Sequence, residues 1–332
     1  MTHQQKINLF GWLHPLVNSA GMVKKMSPPV VMPFYHTVSD EVLPHIAELY
    51  SVKSSKRFRN DLDYLLRYFT PLSMQDFISG AYDKSKAHML LSFDDGLKEC
   101  HSVIAPVLKE KGIPATFFIN PAFIDDKAWF YRYEASWLIH DLKTQEPADD
   151  ASCTMIKMKE KEILRYQEQL RQVNYNSIDI LDKIMERMQI SRQAMKLQTR
   201  VYLNSKELQS LAADGFHIGA HSQHHPEFSN ISADEQIKEV KESMQALELL
   251  ANLSIRSFAF PFSDDGISSN QLKKISESAN LNISFGTSGT GKHPALNHFQ
   301  RMPMEHTRNI PAKKILAGEL MAANIKSRIK SS

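Results

Sequence analysis

Two adjacent carboxylates, Asp94 and Asp95, stand directly behind a short apolar run containing Leu90, Leu91 and Phe93, and Gly96 follows them. The run reads as a buried strand and Asp94-Asp95-Gly96 as the place where it stops. Neighbouring carboxylates repel one another and are costly to desolvate, so a compensating cation is expected, with a metal ion the foremost candidate. A second cluster, His221-Ser222-Gln223-His224-His225, supplies imidazoles. If the chain turns helically behind its strand, His221 and His225 face one side and can hold one ion. His224 serves only by replacing one of them. A histidine cluster alone reads equally well as a surface patch; beside a paired-aspartate strand end it reads as a metal site. Two imidazoles and one carboxylate leave coordination positions for water and a substrate oxygen, and an ion there lowers the pKa of that water toward about 7. One aspartate is then the third ligand and the other is left to take the proton.

Such a site needs several strands to end side by side. Residues 30–36 form an apolar run ending in His36, and Phe58, Leu62, Leu65, Leu66 and Phe69 recur behind it at helical spacing. After the Asp-Asp strand, Val103, Val107 and Leu108 mark a helix closed by Gly112, and residues 115–119 a third strand ending at Asn120-Pro121. Strand, helix and strand at short intervals predict parallel pairing. The rhythm resumes after Leu203 with a helix capped by Asn204 or Ser205 and a strand over 216–221. An amphipathic helix carrying Ile237, Val240, Met244, Leu247 and Leu250 follows, then a strand over 258–262 and a helix over 268–279. Strands near 283–286 and 299–302 and a helix over 311–323 complete the pattern.

About seven strand–helix units without internal repeat predict an α/β fold, a (β/α)7-type distorted parallel barrel whose site lies where strands end. Those ends carry His36, Asp94, Asp95, Asn120, His221, His224, His225, Arg301 and His306. The expected organisation is an N-terminal segment 1–27, a discontinuous barrel over 28–125 and 200–325, and a helical insertion over 126–199. In the insertion, Trp129, Phe130, Tyr131, Tyr133 and Trp137 read as packing, and the Lys-, Glu- and Arg-rich remainder as exposed helix faces without catalytic spacing. Asp264-Asp265-Gly266 reads as a turn with an Asx-type hydrogen bond.

The chain has 332 residues, with Lys plus Arg 40 against Asp plus Glu 37 and a net charge of +3, too small an excess to argue for nucleic acid. The basic clusters at 53–59 and after Lys313 read as solvated faces. Cys100 and Cys153 lack CxxC spacing, so neither a zinc knuckle nor a disulfide framework is supported, which suits a reducing compartment. Residues 7–22 include Leu9, Trp12 and Leu16, but His14, Pro15 and Asn18 interrupt them and no small-x-small cleavage site follows. No run approaches the roughly 18 apolar residues of a membrane span. The expectation is a cytoplasmic enzyme whose N-terminal segment packs on the core or, second, rests on a membrane surface.

Ser92-Phe93-Asp94-Asp95-Gly96 together with His221-Ser222-Gln223-His224-His225 resembles the first two signature motifs of the polysaccharide deacetylase family, metal-dependent esterases and amidases that remove N-acetyl groups from glycans. The resemblance extends over about residues 28–125 and 200–310 and leaves out the insertion. It implies Asp94 as general base, Asp95 as metal ligand with His221 and His225, and Ser222 as a brace of the loop. The family's third motif places an arginine two residues before a proline; here that position, before Pro261, is Ala259. Arg301 is the preferred replacement as partner of Asp94. The family's histidine acid corresponds in order to His306, with His293 and His298 competing, and Phe262 supplies the backbone N–H of an oxyanion hole. His36 and Asn120, at strand ends, are expected to contact substrate.

The implied activity is metal-dependent N-deacetylation of an N-acetylated glycan or sugar precursor, with a divalent ion, Zn2+ first and Co2+, Ni2+, Fe2+ or Mn2+ after it. Absence of an export signal favours an intracellular lipid- or nucleotide-linked precursor. The alternatives are hydrolysis of an O-acetyl ester or another non-peptide amide, and a non-catalytic glycan-binding protein on a decayed deacetylase barrel.

Overall fold

Short β-branched and aromatic runs form the parallel strands at the centre of the molecule, seen in a computed structural model that describes residues 2–17, 20–144, 160–251, 253–292 and 296–331. Cys153, His293 and the start of the helical pattern expected from residue 155 lie outside those residues. The strands are β1 (Pro33–Tyr35), β2 (Leu91–Phe93), β3 (Ala115–Ile119), β4 (His217–Ala220), β5 (Ser257–Ala259), β6 (Ile283–Gly286), β7 (His298–Gln300) and β8 (Met302–Pro303). All pair in parallel, in the order β7-β6-β5-β4-β3-β2-β1-β8.

β7 and β8 stand at opposite ends of that order, yet only Arg301 separates them in the chain. Arg301 N donates to Gly286 O (3.1 Å) on the β6 side, and Met302 N donates to Met32 O (2.8 Å) on the β1 side. One stave therefore changes partner at Arg301 and brings the two sheet edges together. Counted once, it gives the seven staves that the sequence predicts. The run expected over 30–36 is likewise broken at Met32, because Val30–Val31 pairs with His88–Met89 in a separate small sheet.

Helices surround the barrel. Ser55–Leu66 starts where the Ser54 side chain accepts from Arg57 N (3.3 Å) and buries Phe58, Leu62 and Leu65, each worth about 1.5–3 kcal/mol. Ala105–Lys111 ends on Gly112, and Ser205–Ala213 begins at a capping box of Asn204 with Glu207. Lys53 departs from its expected solvated place: it is buried, 2.7 Å from both Asp61 Oδ2 and Ile310 O, so its charge ties the helix Ser55–Leu66 to the segment before the C-terminal helix.

The N-terminal segment packs on the core. Helix His3–Phe10 and the turn Gly11–Leu13 lie along the C-terminal helix Ala312–Ser331, where a Cβ on Gly318 would sit 2.9 Å from Ile7 Cα. Small residues at this crossing let the backbones touch. The insertion supplies helices Tyr131–Thr144, Glu160–Arg171, Asp179–Met188 and Arg192–Gln198. Asp126 Oδ1 pins its neck, accepting from Trp129 Nε1 (2.9 Å), Val201 N (3.2 Å) and Tyr202 N (3.3 Å). Its aromatic stripe is buried in a second core with Leu43, Ile46 and Tyr202.

Candidate active site

At the end of β2 the backbone takes two consecutive left-handed residues, Asp95 (φ 71°) and Gly96 (φ 69°). A Cβ on Gly96 would sit 3.1 Å from Ile119 Cδ1, so this turn requires glycine. Beyond β4, Ser222 (φ 66°) and His225 (φ 56°) are also left-handed, each at a cost of about 1–3 kcal/mol. These turns, rather than the helical one expected from the sequence, bring the histidines together. His225 N donates to Ser222 Oγ (3.0 Å), so Ser222 braces the loop.

Asp95, His221 and His225 are all buried, and their ligand-type atoms lie within 4.8 Å of one another. Asp95 Oδ1 is 3.4 Å from His221 Nε2 and 3.2 Å from His225 Nε2. His221 Nδ1 is 2.8 Å from Ala259 O; a carbonyl only accepts, so Nδ1 carries the proton and Nε2 presents its lone pair inward. Asp95 Oδ1 has no hydrogen-bond partner among the described residues. A buried, unsatisfied carboxylate oxygen facing an imidazole lone pair fits a divalent cation. Burial pushes the Asp95 carboxyl up, but His225 and His221 outweigh it and hold it well below the usual range. His224 turns away, with Nδ1 2.8 Å from Glu239 Oε1 and its backbone N–H on Glu239 Oε2 (2.8 Å).

Asp94 lies beside this trio, its Oδ2 3.9 Å from His221 Nε2. The Arg301 guanidinium forks onto both its oxygens at 2.7 and 2.8 Å and also donates to Ser92 Oγ (3.1 Å). Phe34 and Phe118 rings flank that guanidinium, with centroids 4.3 and 5.1 Å away. Asp94 and Arg301 are each 1% exposed. Burial again pushes the carboxyl up, and Arg301, then His221, hold it below its ordinary value.

His36 closes another side. Its backbone N donates to Glu305 Oε1 (2.6 Å) and its Nδ1 is 3.4 Å from Glu305 Oε2. Burial lowers its pKa, but Glu305 followed by Asp95 and Asp94 raises it to about 9, leaving an imidazolium at neutral pH. His306 is buried, and its Nδ1 accepts from Arg308 N (3.0 Å), so the neutral ring carries its proton on Nε2. Phe262, left-handed at φ 55°, packs its ring 4.8 Å from that of His225, under the Arg132 guanidinium.

Three expectations change. Asn120, expected at the substrate, is buried and its amide donates to the carbonyls of His221 and of Ser222 (3.0 Å), which makes it a brace of the histidine loop. Asp264 makes no Asx turn; its Oδ2 is 2.9 Å from His298 Nε2 and accepts from Gln300 Nε2 (2.6 Å), which also locks His298 away from the role of acid. The insertion, expected to carry no chemistry, sends the buried hydroxyl of Tyr133 onto Asp95 Oδ2. Burial, then Asp95, pushes the Tyr133 hydroxyl well above its ordinary pKa, so it stays protonated and donates. Its cue in the sequence is weak, because it is one of two tyrosines, with Tyr131, in the aromatic stripe.

Residues 81–283 match the family model described as polysaccharide deacetylase, a span that ends before Arg301 and His306. No curated protein matches the chain. Among solved structures, the chain is similar to the Streptococcus pyogenes deacetylase PplD in complex with acetate, at 14% identity and a TM-score of 0.56 over 87% of this chain and 97% of that one. IcaB from Ammonifex degensii gives 14% and 0.51 over 82% and 90%, and a polysaccharide deacetylase from Bacillus cereus 14% and 0.52 over 87% and 68%. At this identity the likeness is one of fold: the deacetylase-type barrel.

Proposed function

Because the chain belongs to the polysaccharide deacetylase family, we propose that it is a metal-dependent hydrolase that removes the acetyl group from an N-acetylated sugar, in a polysaccharide or a cell-envelope glycan precursor. The observation that carries this reading is the division of labour between the two aspartates. Asp95 faces two imidazoles, while Asp94, forked by Arg301, stays ionised beside them.

Asp95, His221 and His225 hold the ion, with Zn2+ best suited to two imidazoles and a carboxylate and Co2+, Ni2+, Fe2+ or Mn2+ acceptable. When bound, it acts as a Lewis acid toward the acetamide carbonyl and acidifies water. Asp94 takes the proton of the attacking water, and Arg301 keeps that carboxylate ionised until it does. The Phe262 N–H faces the developing oxyanion, and the His306 Nε2–H supplies the proton to the leaving amine. The His36 imidazolium, fixed by Glu305, orients a substrate oxygen. Arg301 on Asp94 supports the catalytic reading over a non-catalytic one, which the missing arginine motivates.

The test is acetate release from N-acetylglucosamine oligomers and from lipid- and nucleotide-linked N-acetyl sugars. Asp94→Asn is expected to lose most turnover and keep its ion, and His221→Ala to lose the ion. No acetate from any N- or O-acetylated glycan overturns the proposal, and release from O-acetyl substrates alone makes the chain an esterase.

A further inference from the structure

We propose that the face formed by residues 9–17 and 20–25 with the C-terminal helix docks on an anionic lipid bilayer. Ile7, Val17 and Val23 are buried at 1–3% exposure, while Leu9, Trp12, Leu16 and Met22 stand out at 54%, 67%, 70% and 41%. Singly exposed apolar residues are ordinary, but these four fall within one short segment. Ile325 joins them from the C-terminal helix, where Asn324 Nδ2 donates to Met26 O (3.0 Å). Leu9, Trp12 and Leu16 follow the spacing i, i+3, i+7, so they share one side of the segment. The opposite side is fixed against the protein at Gly11, where a Cβ would sit 3.1 Å from Lys314 O.

The charge around this apolar ridge names the occupant. Residues 1–39 contain no Asp or Glu, and Lys24 and Lys25 are exposed. Lys313 and Lys314 are exposed at the start of the C-terminal helix, Lys314 against the turn that carries Trp12. Glu319, the one acid between residues 307 and 332, is buried and 3.0 Å from Lys6 Nζ. An apolar ridge with an exposed tryptophan, flanked by lysines in two segments that carry no exposed Asp or Glu among the described residues, matches the interface of a bilayer bearing anionic headgroups. A second copy seated on the same face would set lysines against lysines, which disfavours self-association there.

The structure also supplies the probe. The chain has three tryptophans, and Trp129 and Trp137 are buried at 6% and 4%, so Trp12 is the one exposed to solvent. The full chain is titrated with vesicles of phosphatidylcholine alone or mixed with phosphatidylglycerol, reading tryptophan emission and co-sedimentation. The expected result is a blue shift and sedimentation with the phosphatidylglycerol vesicles, reversed by salt and much weaker with phosphatidylcholine alone. Leu9→Ser with Leu16→Ser lowers partitioning by about tenfold or more, and Lys24→Ala with Lys25→Ala lowers the preference for phosphatidylglycerol. Both variants keep the parent's unfolding midpoint, because the replaced side chains are exposed. No shift and no sedimentation with phosphatidylglycerol vesicles overturns the proposal. A vesicle-independent blue shift that grows with protein concentration, with a dimer in sedimentation, overturns it in favour of a second copy.

Discussion

Replacing Arg301 with methionine tests the most exposed point of the reasoning. The substitution removes a bidentate partner at 2.7 and 2.8 Å from a carboxylate that is itself 1% exposed. Breaking a buried pair by removing one member costs about 3–5 kcal/mol, since the survivor keeps its desolvation and loses its attraction. Against a total of about 5–15 kcal/mol for a typical domain, that is a large fraction. Urea unfolding of the parent, Arg301→Met, Asp94→Asn and the double variant isolates the pair. Both single variants should lose several kcal/mol, and the double variant should recover much of the loss. The sign with pH is also fixed. In the parent, the depressed Asp94 pKa contributes stability that is present above the unfolded value, near 3.9, and lost as pH falls through the folded one. Without Arg301, burial raises that pKa, so acidification relieves the variant and the gap between the two proteins narrows. Turnover should fall by about 10²–10⁴ at neutral pH, with the acidic limb of the rate profile moved upward. Single variants within about 0.5 kcal/mol of the parent, or a cycle with no coupling, would refute the account of Asp94.

Tyr133→Phe removes one hydroxyl from Asp95 without changing the packed volume and should weaken Zn2+ binding by about 10–100-fold in a calorimetric titration; equal affinity refutes its role. Asn120→Ala strands the carbonyls of His221 and Ser222, at a cost of about 1–3 kcal/mol in urea unfolding, and a midpoint like the parent's would reject the brace. His45 is fully buried against Trp129 and Tyr133 rings, neither of its nitrogens is hydrogen-bonded among the described residues, and burial, then Lys98, lowers its pKa from 6.5 to about 3. The unfolded chain takes up a proton that the folded one refuses, so stability declines as pH drops through 6.5, by about 2 kcal/mol at pH 5. His45→Leu should flatten that part of the profile, and an unchanged slope would contradict it.

The parts of the site that are legible in the sequence are those written contiguously. Asp94-Asp95-Gly96 and His221 to His225 sit behind apolar runs that announce strands, and parallel pairing sets their ends side by side. Arg301 is found by the order of strands, after Ala259 vacates the expected place. What the sequence hides are features decided by distant neighbours. Non-glycine residues at left-handed φ, such as Ser222 and His225, give no local sign, because the surrounding structure imposes the conformation. Asn120 looks like any polar residue at a strand end until its amide finds two carbonyls more than a hundred positions away. Glu305 and Tyr133 act through partners on other elements. The exchange of partners at Arg301 is invisible because the run near 299–302 reads as one uninterrupted strand.

That stave has a consequence for the order in which the protein is made. Asp94 emerges from the ribosome some two hundred residues before the arginine that neutralises it, and domains assemble from their N-terminal side during synthesis. Until the final stave arrives, the nascent barrel either leaves that carboxyl open to water or carries it protonated. The residue that joins the sheet's two edges thus also holds Asp94 ionised. A chain truncated before Arg301 lacks the partner of Asp94, so that carboxylate is neutralised only in the completed fold.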